Sequence, residues 1–303
     1  MTDTVTIENE RWRIGFLPQM GGSLAFGQVR IDGEWVDVLR PTPDDVEITN
    51  HTASYPLVPW SNRIRNGLLR FSGREYQLRP NWPDGTAIHG AAWEFPWAVA
   101  DRSETHITLE FSSTGLYGVN WPWEFTARFT YALDGDDFTW TYSVTNDAHE
   151  TFPAGFGHHP YLLRSVAGSA DPHLQVNVEK AYDLEECMAT GPAGEIRPAA
   201  DFRESREIGQ TFVDDCFTGR TGEDLATITW PDTLTLNFTA DAALEHAVLY
   251  IPPGRDYFAF EPVSNANDAF NLDEDGVAGA GLFLLQPGET RTASFTIAAT
   301  PQR

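Results

Sequence analysis

His158 and His159 stand side by side and are followed by Pro160. Imidazole is the side chain whose proton moves nearest to neutral pH, so such a pair invites acid–base chemistry. Proline disfavours the helical region for the residue before it and holds His159 extended. Side chains of an extended segment alternate, so the two rings point to opposite sides. One then faces a pocket, and the other faces core or solvent. Gly155 and Gly157 just upstream let the backbone bend or come close to a neighbour. Taken alone, the same pattern fits two ordinary histidines at a strand end.

Four more clusters hold groups of the right kind. Trp60-Ser61-Asn62-Arg63-Ile64-Arg65 sets a guanidinium fork beside an amide on an irregular, proline-flanked segment. Such a fork binds hydroxyls or a carboxylate; the plain counterpart is a surface arginine. His89 precedes Gly90, where a close approach to a ligand or a simple turn is possible. Asp214 and Asp215 lie between Phe212 and Phe217, and one of the two acids can point inward to read hydroxyls. Glu261 ends the apolar run Tyr257 to Phe260. In a cleft its pKa is tunable for proton transfer, and at a sheet edge it is merely solvated.

Strands must position all of these. Ile107, Leu109 and Phe111 alternate with polar residues. So do Phe125, Ala127, Phe129 and Tyr131, and then Phe138, Trp140, Tyr142 and Val144, with an Asp134-Gly135 hairpin turn between the two sets. Asp32-Gly33 and Ser72-Gly73 mark further turns. No helix of ten or more residues is expected, and residues 201–210 suit one short turn. Neither an internal repeat nor a linker divides the chain. The expectation is one all-β antiparallel domain over 1–303, with two large sheets packed face to face.

Composition narrows the partners. Against 44 Asp+Glu there are 20 Lys+Arg, a net charge of −24. Nucleic acid and anionic membranes want basic patches, so neither is an expected partner. The only lysine is Lys180. A salty cytoplasm or genomic base composition would each explain that balance. Two cysteines are too few for a disulfide framework. The N-terminal stretch lacks a leader pattern, and no apolar run approaches a membrane span. A cytoplasmic location is expected.

Read together, the clusters resemble a known family. Pro59-Trp-Ser-Asn62-Arg63-Ile64, then Gly67, Phe71, Gly73, Tyr76 and Leu78, then His89-Gly90, is similar to the N-terminal signature of aldose 1-epimerases (galactose mutarotases). His159-Pro-Tyr161-Leu, Asp214-Asp-Cys-Phe217, Glu261-Pro262 with Asp268-Ala-Phe-Asn271, and Leu284-Leu-Gln-Pro-Gly-Glu289 resemble its later segments in the same order, over roughly residues 10–297. The resemblance implies an antiparallel β-supersandwich that interconverts the α and β anomers of an aldose without metal or other cofactor. By position it implies Glu261 as general base and His159 as general acid, with Asn62, Arg63, His89 and Asp214 binding the sugar. The family often has a Gln on a strand before the Glu; the nearest counterpart here is Asp256. The glutamate is followed by Pro262, as in a shorter bacterial and archaeal branch.

The chemistry suits these residue types. A base takes the proton of the C1 hydroxyl, an acid protonates the ring oxygen, and the C1–O5 bond opens and recloses. A carboxylate beside His159 would raise its pKa, a donor would keep Glu261 ionised, and Trp60 or Trp93 would stack on a neutral sugar. Three other readings compete. A non-catalytic sugar-binding sandwich needs no acid–base pair. A glycosidase using Glu261 with Asp214 leaves the histidines without a role. A metal site from His89, His158 and His159 lacks the usual ligand spacing.

Overall fold

The computed structural model describes residues 4–302. Met1 to Asp3, which open the N-terminal stretch read for a leader, lie outside the described residues. The alternating runs become a nine-stranded antiparallel sheet. Its order is Ala98–Arg102, His106–Ser112, Phe125–Asp134, Asp137–Asn146, Thr290–Pro301, Leu234–Ala240, Asp224–Trp230, His173–Val176 and Arg206–Glu207. The Asp134-Gly135 hairpin forms as expected, with Asp134 paired to Asp137.

A second, seven-stranded sheet runs Val178–Ala181, Val213–Arg220, His246–Ile251, Tyr257–Val263, Gly157–His158 and Pro56–Leu57, with Tyr161–Leu163 also joined to Tyr257–Val263. The two sheets face each other across aromatic side chains. Phe238 of the first meets Phe260 of the second edge-on, with centroids 5.3 Å apart. Each fully buried ring of this size contributes about 1.5–3 kcal/mol, so facing layers are the stable solution for strands apolar on one side. A four-stranded sheet, Val5–Glu8, Trp12–Leu17, Ser23–Ile31 and Glu34–Asp37, adds Trp12, Ile14 and Phe16 to the core. It contains the Asp32-Gly33 turn.

Helix is scarce, as expected. Among the described residues one α-helix occurs, Ala269–Glu274, in the Asn/Asp-rich loop after Glu261. The short turn expected within 201–210 lies earlier, as a single 3-10 turn at Pro198–Ala200. Proline at the first helical position, with its φ already set, starts it there. Arg206–Glu207 is instead an edge strand. No helix among the described residues is long and apolar enough to cross a membrane.

Candidate active site

The seven-stranded sheet has one face against the main core and one away from it. Strand register decides which residues share the outer face. Asp214 lies opposite Tyr250, Cys216 opposite Val248, Val248 opposite Glu261, and Tyr250 opposite Ala259, which is also opposite Tyr161. Residues directly paired across strands present their side chains on the same side. Asp214, Glu261, Tyr161, Val248 and Tyr250 therefore converge on that face. Asp215 takes the opposite side, where Arg197 holds its carboxylate through two nitrogens.

Loops roof this face. Arg63–Ile64 pairs with Ala87–Ile88, and the two residues flanking that ladder, Asn62 and His89, both adopt left-handed backbone at φ 57° and 62°. Asn and His tolerate this region better than most residues, and such conformations collect at functional sites. The His89 N–H donates to the Asn62 carbonyl at 2.8 Å. Gly90 is obligatory: a Cβ there would sit 2.1 Å from the Val58 carbonyl oxygen, at φ +82°. These constraints aim Asn62, Arg63 and His89 down at the sheet.

Between roof and sheet lies a cavity of about 290 Å³, near the lower end of the ~300–1,000 Å³ typical of small-molecule sites. All six residues singled out from the sequence line it: Asn62, Arg63, His89, His159, Asp214 and Glu261. His159 Nε2 is 3.2 Å from Glu261 Oε1. The Arg63 Nε donates to Asp84 at 2.9 Å, which anchors the guanidinium from its roof side. The Cys187 thiol donates to Asp214 Oδ2 at 3.4 Å. Asn62 Oδ1, His89 Nδ1 and His159 Nδ1 are buried without a partner. Buried polar atoms are normally satisfied, so these three lining residues retain bonding capacity for a polar ligand.

His158 takes the other side, as alternation requires. Its Nε2 is 2.8 Å from the Tyr131 hydroxyl, its Nδ1 contacts Ser54 Oγ, and its ring sits edge-on to Trp140 at 4.6 Å. It is a core histidine with both nitrogens occupied. It therefore does not join His89 and His159 at one point.

This arrangement has relatives. The model of the aldose 1-epimerase family matches residues 3–298. The chain belongs to the aldose 1-epimerase family. The uncharacterised protein YphB of Escherichia coli K12 is 28% identical over 287 residues, covering 88% of this chain and 91% of that protein. A crystal structure of a proposed aldose 1-epimerase from Escherichia coli K12 is 25% identical and covers 99% of each chain, with a TM-score of 0.84. A galactose mutarotase-like protein of Clostridium acetobutylicum superposes with a TM-score of 0.87 at 16% identity, covering 99% of this chain and 95% of that one, and shows the shared fold. The all-β antiparallel supersandwich expected from the resemblance is thus the fold of this aldose 1-epimerase family member.

Three expectations for the site need correction. Trp60 and Trp93 do not line the cavity. Trp60 is buried against Trp121, and Trp93 packs on Tyr55 behind the site. Aromatic surface comes instead from Trp82, Phe212 and Tyr250. Phe212 is 52% exposed at the rim, edge-on to Tyr250. Trp82 sits in the loop Pro80-Asn81-Trp82-Pro83-Asp84-Gly85, and a tryptophan on a polar, proline-bounded loop was the available signal. Asp256 lies on an exposed turn outside the cavity.

The third correction is electrostatic. The carboxylate beside His159 is Glu261 itself, and burial dominates both groups. Burial, followed by the charge of Arg40, pushes the His159 pKa down to about 3. Burial, followed by Asp214, pushes the Glu261 carboxyl well above its usual range, against Arg63. Loss of hydration disfavours both charged forms, and pairing the two does not recover that cost. Burial likewise lowers the pKa of His89, with His159 and Arg63 adding to the effect, and raises that of Asp214.

These shifts carry a stability consequence. The folded pKa of His159 lies below the 6.5 of an ordinary histidine, and those of His89, His158 and His246 are also depressed by burial. Below pH 6.5 the unfolded chain binds histidine protons that the fold refuses, which costs stability as pH falls. Glu261 and Asp214, raised in the fold, bind protons before the unfolded chain does and offset part of that loss above the ordinary carboxylate range. Calorimetry should show a lower melting temperature at pH 3 than at pH 6.5, with most of the fall inside and below the ordinary carboxylate range. A melting temperature flat over that window contradicts it.

Proposed function

We propose that the chain works as one unit over 1–303 and is a mutarotase for a neutral aldose, with Glu261 and His159 as the two proton carriers. The observation that carries this reading is the 3.2 Å approach of His159 Nε2 to Glu261 Oε1 in a cavity also lined by Asn62, Arg63, His89 and Asp214. The pair shares one working proton. With Glu261 ionised and His159 protonated, Glu261 takes the proton of the C1 hydroxyl and His159 donates to the ring oxygen. The C1–O5 bond breaks, C1 becomes an aldehyde, and both protons have moved. The pair is then protonated Glu261 and neutral His159. Rotation about C1–C2 and the reverse transfers give the other anomer.

That second distribution is the one desolvation favours here. The cavity is thus suited to the ring-opened state, the unstable species along the path, and interactions that favour it over the bound ring lower the barrier. Sugar hydroxyls donating to Glu261 supply the polar environment for the ionised start. The terminal nitrogens of Arg63, the Asn62 amide, His89 and Asp214 hold the remaining hydroxyls. Trp82, Phe212 and Tyr250 present ring faces to its C–H surface.

Polarimetry on freshly dissolved α-D-glucose, α-D-galactose and other aldoses tests this directly. Faster decay of rotation with protein supports the reading; sugar binding with unchanged decay supports the plain binder instead. Substrate charge follows from the lining: Arg63 is its one guanidinium, and it faces two acids, Asp214 and Glu261. A neutral aldose should therefore have the higher kcat/KM. A much higher kcat/KM for glucose 6-phosphate contradicts that.

A further inference from the structure

His159 packs against two tyrosine rings. Its ring lies on Tyr55, with centroids 5.2 Å apart and 17° between planes. It also meets Tyr161 at 4.4 Å, with 37° between planes. Beyond Tyr161 comes Arg40, its guanidinium carbon 3.9 Å from the Tyr161 centroid and 4.5 Å from that of Tyr257. Arg40 does not line the cavity. Its backbone is tied to the same element, since its N–H donates to the Tyr161 carbonyl at 2.8 Å.

Among the described residues no carboxylate lies within ion-pair distance of Arg40. Its Nη2 donates to the carbonyl of Thr52 at 2.8 Å, and its Nε is buried without a partner. The Tyr161 and Tyr257 rings stand at 78° to each other, so the guanidinium sits in the corner they form and is attracted to both. The charge stays unneutralised one ring away from His159. The other titratable or charged groups around His159 are Glu261, Arg63, His89, Tyr55 and Tyr161.

We infer that Arg40 is a positioning residue for the reaction proposed above: through Tyr161 it fixes the plane of the His159 ring, and its fixed charge keeps a second proton off the Glu261–His159 pair. The inference rests on that acid–base reading. Two variants separate plane from charge. Arg40→Lys keeps the charge and loses the flat fork; kcat should fall about tenfold, on the scale of a misplaced reacting group, with the acid limb of its pH profile unmoved. Arg40→Gln keeps a planar amide and loses the charge. Its acid limb should move up by about one pH unit, because imidazolium is no longer repelled.

The experiment records pH profiles of kcat and melting curves for both variants, with Glu261→Gln in parallel. Lower melting temperatures with wild-type kcat and profile would make Arg40 purely structural and overturn the inference. If Glu261→Gln is inactive while both Arg40 variants match wild type, this inference alone fails. If Glu261→Gln is itself near wild type, the acid–base reading fails and the inference with it.

Discussion

Glu261→Gln and His159→Asn should each lower kcat for anomer exchange by at least about a hundredfold, the scale of one general acid or base. Gln has the shape of Glu but cannot cycle a proton between the C1 hydroxyl and the enzyme. Asn occupies the near end of the imidazole and cannot deliver a proton to the ring oxygen. The two losses should not add in the double variant, because in the proposed cycle the residues act as a unit around one shared proton. Both variants should fold. Glu261 is buried at 2% exposure with its pKa raised by burial, so replacing it with a neutral amide removes no essential ion pair. His89→Asn should be intermediate, since in the proposed cycle that ring orients the sugar and carries no proton. Stopped polarimetry at saturating sugar reads these differences.

His158→Asn should show the converse. The ring is fully buried, and the variant strands the Tyr131 hydroxyl or Ser54 in the core. An unsatisfied buried partner costs about 1–3 kcal/mol, and the lost ring volume next to Trp140 adds to that. Urea unfolding should show a lower midpoint, while kcat of the folded fraction stays within a few-fold of wild type. Loss of kcat equal to that of His159→Asn with stability intact would mean that the two adjacent histidines share the catalytic work.

These neighbours show how much the sequence discloses. Pro160 and period-two alternation were enough to separate His158 from His159, because both rules act over one or two residues. The same alternation laid out the sheet strands from Ile107 to Val144. The short helix Ala269–Glu274 was not legible: its six residues complete too few turns to display a period, and tertiary contacts hold it. Asn271, on that helix, donates from its side chain to the Leu68 carbonyl, more than two hundred residues away in sequence. The six polar residues that line the cavity were picked out by the order and spacing of their motifs, since each cluster alone fits an ordinary turn or strand end. The aromatic lining was misplaced, since most of the ten tryptophans carry no local mark of which face is core, and the loop around Trp82 was the one cue available. Trp60 went inside by packing on Trp121, while Trp82 was left at the cavity by its proline-bounded loop. The protonation of the site was misjudged for a related reason. Burial is a property of the assembled roof and sheet, and it outweighed the pairing that residue types alone suggest.

The central claim is that Glu261 and His159 exchange protons with the sugar in this cavity. Magnetisation-exchange NMR between the α and β anomeric protons of an equilibrated aldose measures that chemistry without a coupled enzyme. The wild-type protein should speed the exchange, and Glu261→Gln should bind the same sugar with similar affinity yet lower the protein-dependent exchange rate by at least about a hundredfold. Exchange at a near-wild-type rate in Glu261→Gln would contradict the account.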